Sequence, residues 1–332
     1  METIVLQVRP EGLFCPAGDF FIDPRGQVDR ALITHAHSDH ARSGHNSYLC
    51  SNATQSLMKV RLDSKARVEG MKFGEKRKIG DATVSFHPAG HILGSAQIRV
   101  EVKGHVWVVS GDYKPQVDQT CEPFELVPCH GFISECTFGL PVYRWMPEEL
   151  IHQQINAWWK ENRANRTPSL LFAYSLGKAQ RVLAGLDPEI GPIFVHGAVD
   201  AFVRIYRDLG VDLPVVEKTD PKLDQDYAGA IILAPPAVED SSWTRSFRQA
   251  KRGFASGWMA IRGARRRKNL DRGFVLSDHA DWKGLIEVIE GTGAEEVLMT
   301  HGNGDALVRY LSARGLKAAV LNGASLRGEE EE

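Results

Sequence analysis

Hydrophobic residues in this chain come mostly in short runs that stop at glycine or a polar turn, the signature of buried strands. Residues 31–34, 83–86, 96–102, 106–110, 131–134, 274–277, 297–300 and 317–321 are predicted strands on this basis. Residues 147–163 differ. Ile151, Ile155, Trp158 and Trp159 recur there at helical spacing, which predicts an amphipathic helix whose tryptophans pack in a core rather than stack on a base. From there to about residue 257 strand and helix alternate: SLLFAYS before LGKAQRVLAGL, PIFVHG before AVDAFVRIYRDLG, then AIILAPP, a Rossmann-like segment. Further on, FVLSDHADWKGLIEVIE and EVLMTHG each run a strand into a histidine-bearing loop. The fold class is therefore α/β, one domain interrupted by another. The expected parts are 1–146, an insert over 147–257, a return over 258–325, and an acidic tail over 326–332.

Composition narrows the class. With 332 residues, 43% hydrophobic and 25% charged, the chain has the make-up of an ordinary soluble enzyme. Its five cysteines form no CxxC pair and suit reduced thiols, so a cytoplasmic setting is expected. Arg9 and Glu11 interrupt what a secretory stretch would need to be apolar, and no run is long enough for a membrane span. The net charge of -2 argues against indiscriminate polyanion binding but hides an asymmetry. Arg262, Arg265, Arg266, Arg267, Lys268 and Arg272 crowd together; such a run is either a solvated face or a path for nucleic-acid phosphates.

Metal chemistry is the strongest local signal. The apolar stretch ALIT runs into THAHSDHA, which presents His35, His37, Asp39 and His40 just past a strand end. Imidazole and carboxylate are the donors that zinc and manganese take, and a chance surface cluster does not follow a buried strand in this way. Two further stretches have the same form, FHPAGHILGS with His91 and VWVVSGDYK with Asp112. Alone, such a histidine is usually a satisfied polar group and such an aspartate a turn residue; in this order and context both are candidate ligands.

These stretches resemble the metallo-β-lactamase superfamily and, within it, the β-CASP nucleases. Asp23 in FFIDP, THAHSDH, AGHILGS and SGDY match the superfamily motifs, and Glu135 in SECTFG, His279 in LSDHAD and His301 in MTHGN match the β-CASP ones. The resemblance runs from Asp23 to Asn303. It implies an αββα sandwich interrupted by a small Rossmann-like β-CASP domain, holding two divalent ions, Zn2+ and/or Mn2+. By this resemblance His35, His37 and His91 hold one ion, Asp39, His40 and His301 the other, and Asp112 bridges them. Asp23 then orients the histidine loop, His279 is the general acid and Glu135 sets its tautomer. Ser175, Gly177 and Lys178 at a helix start, with Arg265, Arg266 and Arg267, are expected to bind substrate phosphates. The compact layout looks most like bacterial ligase-associated DNA exonucleases, with no room for an appended RNA-binding domain. The implied function is cleavage of single-stranded or end-exposed DNA from a 5′ end in DNA repair, linked to an ATP-dependent DNA ligase. An RNA-processing nuclease is the alternative, because RNA-cutting members usually carry a histidine at the place of His301. A small-molecule ester or lactam hydrolase is a third reading, and a catalytically dead binding subunit a fourth that the full ligand set disfavours.

Overall fold

The computed structural model describes residues 4–220, 225–261 and 270–321. Two compact units divide it: the first runs through Tyr143 and resumes at His279, and the second is Arg144–Asp278.

The first unit opens with strands β1 (Gln7–Arg9), β2 (Gly12–Cys15), β3 (Phe20–Ile22), β4 (Arg30–Leu32), β5 (Ser47–Ser51) and β6 (Val68–Met71), with helix α1 (Asn52–Arg61) between the last two. They pair in chain order, antiparallel to β3 and parallel from there on. Next come β7 (Arg77–Ile79), β8 (Ala82–Pro88), β9 (Ala96–Val102), β10 (His105–Val109) and β11 (Gly131–Cys136).

The second unit contributes α2 (Glu148–Ala164), β12 (Ser169–Phe172), α3 (Lys178–Ala184), β13 (Ile193–Val195), α4 (Gly197–Asp208), β14 (Glu217–Lys218), β15 (Ile231–Ala234), β16 (Lys251–Ala255) and β17 (Arg272–Phe274). The chain then completes the first unit with α5 (Trp282–Gly291), β18 (Glu296–Gly302), α6 (Asp305–Ala313) and β19 (Lys317–Val320). The last two strands join the second sheet of that unit, whose order is β19-β18-β11-β10-β9-β8-β7.

Strand alternation explains how the two sheets of the first unit meet. Side chains of a strand point alternately to opposite faces. Val84, Phe86, Ile98 and Val100 therefore share one face of the second sheet, where they cluster with Phe20, Ile22, Leu32 and Leu49 of the first. Val106, Val108, Phe132, Val297 and Met299 face the other way, onto Leu285, Val288 and Ile289 of α5 and Leu307 and Leu311 of α6. Helix α1 buries Leu57 and Met58 over β5 and β6. The layers are helix, sheet, sheet, helix.

In the second unit the strands are all parallel, in the order β14-β13-β15-β12-β16-β17. Its central strands SLLF and IILA are buried along their whole length, as a sheet covered on both faces requires. Trp159 of α2 is fully buried, its Nε1–H donating to Gly229 O at 3.0 Å. Both tryptophans of this helix are core residues.

Two local expectations shift. The second unit ends at Asp278 rather than at residue 257, because β17 pairs with β16 through Gly253↔Arg272 and Ala255↔Phe274. The strand expected at 274–277 lies earlier, at Arg272–Phe274, and the chain beyond turns away with Leu276 N–H donating to Phe274 O at 3.1 Å.

Replacing Trp159 by Ala should lower the unfolding free energy by about 3–5 kcal/mol, from lost burial and an orphaned Gly229 carbonyl. Urea titration would measure it; a loss under about 1 kcal/mol would mean that the site collapses around the deletion.

Candidate metal centre

Strand direction brings the donors together. Strands β8, β10, β11 and β18 run the same way across the second sheet, so their carboxyl ends share one edge. His91 follows β8, Asp112 follows β10, Glu135 lies at the end of β11 and His301 at the end of β18. The loop after β4 adds His35, His37, Asp39 and His40.

Two sets form. His35, His37, His91 and Asp112 offer ligand atoms within 4.8 Å of one another, and all four are buried. Asp39, His40 and His301 form the second set on the same criterion, with the rings of His40 and His301 stacked at 4.6 Å. His37 Nδ1 lies 3.1 Å from both His35 Nε2 and His91 Nε2. Asp112 Oδ2 stands 3.6 Å from His35 Nε2, 3.8 Å from His91 Nε2 and 3.6 Å from His40 Nε2. A tetrahedral ion with about 2.0–2.1 Å bonds to nitrogen separates its ligands by about 3.3 Å. The spacings bracket that value. Asp112 Oδ2 belongs to the first set and reaches the second only through His40, while Asp39 Oδ1 and Asp112 Oδ1 are buried without a hydrogen-bond partner. Neutral imidazoles packed against carboxylates, with acceptor atoms left over, fit divalent cations.

The carboxylate of Asp23 fixes how two of these rings are used. Its Oδ1 accepts from Thr34 N at 2.8 Å, and its Oδ2 accepts from Thr34 Oγ1 at 2.6 Å and from His40 Nδ1 at 2.7 Å. Thr34 has given its only hydroxyl proton to Asp23, so Thr34 Oγ1 accepts from His35 Nδ1 at 3.1 Å. Both histidines then donate from Nδ1, which turns Nε2 to the candidate sites. Thr34 is the residue that pattern reading missed; its only signal is that it precedes the first histidine. Gly111 shows how close the backbone comes, since at φ 57° a Cβ there would stand 2.6 Å from Thr34 Cβ. Asp23 and His301 are themselves held in the left-handed region, at φ 41° and 48°, a strain found most at functional sites.

Charge balance points the same way. Burial alone would lower His40, but Asp39, Asp112 and Asp23 outweigh it and hold the imidazolium well above the ordinary range. Burial and the neighbouring His40 push His35 well below it and also lower His301. Burial would raise Asp112, but His40 overcomes that and keeps the carboxyl well below its usual range. The carboxylates around His40 favour positive charge there, which a divalent ion would supply while displacing a proton.

Beside the first set, His279 Nδ1 sits 3.0 Å from both oxygens of Glu135. Glu135 is fully buried and accepts from Tyr113 N at 2.7 Å and from Thr137 Oγ1 at 2.5 Å. Burial raises its pKa despite the nearby His279.

The expected phosphate cradle differs from its prediction. Lys178 opens α3 behind its N-cap Gly177, with Ser175 two residues ahead of the cap, but Gly177 N–H is taken by Gln180 Oε1 at 2.7 Å. Lys178 is buried with its Nζ 2.8 Å from Asp278 Oδ1. Arg265, Arg266 and Arg267 lie outside the described residues.

Two sheets face to face between helices, with histidine and aspartate donors along one edge, define a protein of the metallo-β-lactamase fold. In its fold and its order of motifs the chain is similar to the β-CASP group of that superfamily. No protein-family model matches it. Over 92% of its length it is 32% identical to a protein named probable DNA ligase from Opitutus terrae, of which it covers 30%. It is 24% identical over 80% of its length to endoribonuclease YSH1 of Eremothecium gossypii, covering 41% of that protein. The chain thus spans less than half the length of these curated relatives. A solved structure, a protein of unknown function from Enterococcus faecalis, shares the fold with a TM-score of 0.54 at 11% identity, over 81% of this chain and 74% of that one.

Metal analysis of variants tests the two sets separately. His37→Ala should lose one ion per chain and Asp112→Ala should weaken both. Asp23→Asn should lower affinity at the His40 set by about 10–100-fold, the usual effect of losing such a carboxylate. Full stoichiometry in all three would refute the ligand assignment.

Proposed function

We propose that this chain is a metal-dependent phosphodiesterase of nucleic acid, a DNA exonuclease that works from a 5′ end. The observation that carries the reading is Asp112 Oδ2 standing 3.6 Å from His35 Nε2 of one donor set and 3.6 Å from His40 Nε2 of the other, with the His279–Glu135 pair beside the first. Two divalent cations, Zn2+ or Mn2+, would supply Lewis acidity and a water activated at neutral pH. His35, His37, His91 and Asp112 would hold one, and Asp39, His40, His301 and Asp112 the other.

The chain's own groups handle the leaving oxygen. With Nδ1–H donated to Glu135, the proton that His279 can deliver sits on Nε2. Glu135, fixed by Tyr113 and Thr137, keeps the ring turned and stabilises its charged form. Asp39 and Asp112 complete the group that faces the reacting phosphate.

DNA is favoured because a segment like this chain is carried within a protein named a probable DNA ligase. In this reading the enzyme works in the cytoplasm, in DNA repair, trimming single-stranded or frayed ends for an ATP-dependent DNA ligase. The endoribonuclease name of the second relative supports the other reading, an RNA-processing nuclease. Product lengths from matched DNA and RNA strands, labelled at either end and supplied with each metal, separate the two. Stepwise loss from the 5′ end of DNA supports the first, preference for RNA the second. Thioester hydrolysis with neither polymer cut would replace both with a small-molecule esterase.

Replacing His279 by Ala should leave the metal content intact and slow turnover by about 10² to 10⁴. A nitrophenyl leaving group, which needs no proton, should suffer far less. Equal losses on good and poor leaving groups would end the acid assignment.

Arg265, Arg266 and Arg267 are proposed to track the strand. Changing all three to Ser should weaken every sequence alike and flatten the salt dependence of binding by up to about two units, at about 0.7 per phosphate contact. An unchanged salt slope would make the run a solvated face.

A further inference from the structure

Helix α3 carries two cations on one face, Lys178 and Arg181, three residues apart. Both are out of water, at 3% and 1% exposure. Lys178 Nζ lies 2.8 Å from Asp278 Oδ1, and Asp278 is fully buried. Arg181 Nη1–H donates to Ser277 O at 2.8 Å. The helix start is itself pinned, with Gly177 N–H donating to Gln180 Oε1 and Gln180 Nε2–H to Ser175 O at 3.0 Å. One helical turn therefore grips two consecutive residues, and the next residue in the chain is His279. On its far side, Ala280 N–H donates to Tyr113 O at 2.7 Å, and Asp281 caps α5 by accepting from Gly284 N at 2.8 Å. His279 stands between two anchored neighbours.

Packing does not account for the ion pair. Removing two charges from water costs several kcal/mol per ion before their attraction is counted, and apolar side chains of similar volume often stabilise as well or better. What a charged contact adds is direction. Consecutive Cα atoms are about 3.8 Å apart, so a shift at Asp278 reaches His279 almost undiminished, and misplacing a reacting group by about 1 Å can cost about 10²-fold.

We infer that Lys178 and Arg181 are positioning residues, which set the imidazole of His279 through Asp278 and Ser277, rather than ligands of substrate phosphate. The inference rests on the acid role proposed above for His279. Its test compares the full metal-loaded chain carrying Lys178→Met with Asp278→Leu, the single change Lys178→Arg, and His279→Ala.

The apolar pair should keep the thermal midpoint and metal content while kcat falls about 10²-fold at unchanged KM. The loss should be greater for a poor leaving group than for a nitrophenyl ester, and Lys178→Arg should retain most of the rate. In metal-free protein the His279 Nδ1–H resonance, sheltered by Glu135, should move or vanish in the apolar pair and persist with Lys178→Arg. If the apolar pair does not fold, Asp278→Asn, which keeps the shape and drops the charge, carries the same comparison.

Normal kcat with an unmoved imidazole signal would reduce the pair to a structural contact. A raised KM with normal kcat would return Lys178 to phosphate binding and overturn the inference. A harmless His279→Ala would sink the acid reading and this inference together, whereas a harmless apolar pair beside a crippled His279→Ala sinks the inference alone.

Discussion

The candidate metal centre hangs on one carboxylate. Asp23 supplies two oxygens and takes three hydrogen bonds, two from Thr34 and one from His40. Those bonds leave Thr34 Oγ1 able only to accept, and so settle the proton on His35 as well as on His40. Without that constraint each imidazole could turn either nitrogen to the site, and a wrong tautomer would aim N–H where a lone pair is needed. The cost of the arrangement is visible in the backbone, because Asp23 reaches its place with φ at 41°.

The second sheet does the rest by direction alone. Its middle strands are parallel, which is why Asp112, Glu135 and His301, far apart in sequence, emerge at one edge. Burial behind that edge comes from Val108, Phe132, Val297 and Met299 against α5 and α6. Rigid strand ends hold short loops, and short loops hold the ligands with little freedom to lose on binding.

Much of this could be read from the chain, and the limits have physical reasons. The donors of THAHSDH are local, so their spacing shows directly, and His91 and Asp112 follow apolar runs that mark strand ends. Asp23 and Glu135 stand out only through family resemblance, and His279 and His301 show only as histidines in loops after strands, because nothing near them in sequence signals a partner across the fold. For Lys178, sequence shows a cation at a helix start but not that a carboxylate, Asp278, stands 2.8 Å from it. The end of the second unit was placed early because the pairing of β17 with β16 is a long-range contact that leaves no periodicity of its own. Strands such as β1 and β3, three residues each, are too short for any alternation to register.

Strand β11 pairs with β18 across the whole inserted unit, and Cys136 Sγ donates to Thr300 O from a residue 164 positions away. A ribosome therefore delivers β11 long before its neighbour exists. During that interval its unpaired backbone groups form an open edge, the kind that recruits other chains. The second unit is continuous in sequence, whereas the first is completed only by the chain that follows it. The nascent protein has the ligands of the His35 set before it has His301, so a metal ion met early would find half a centre.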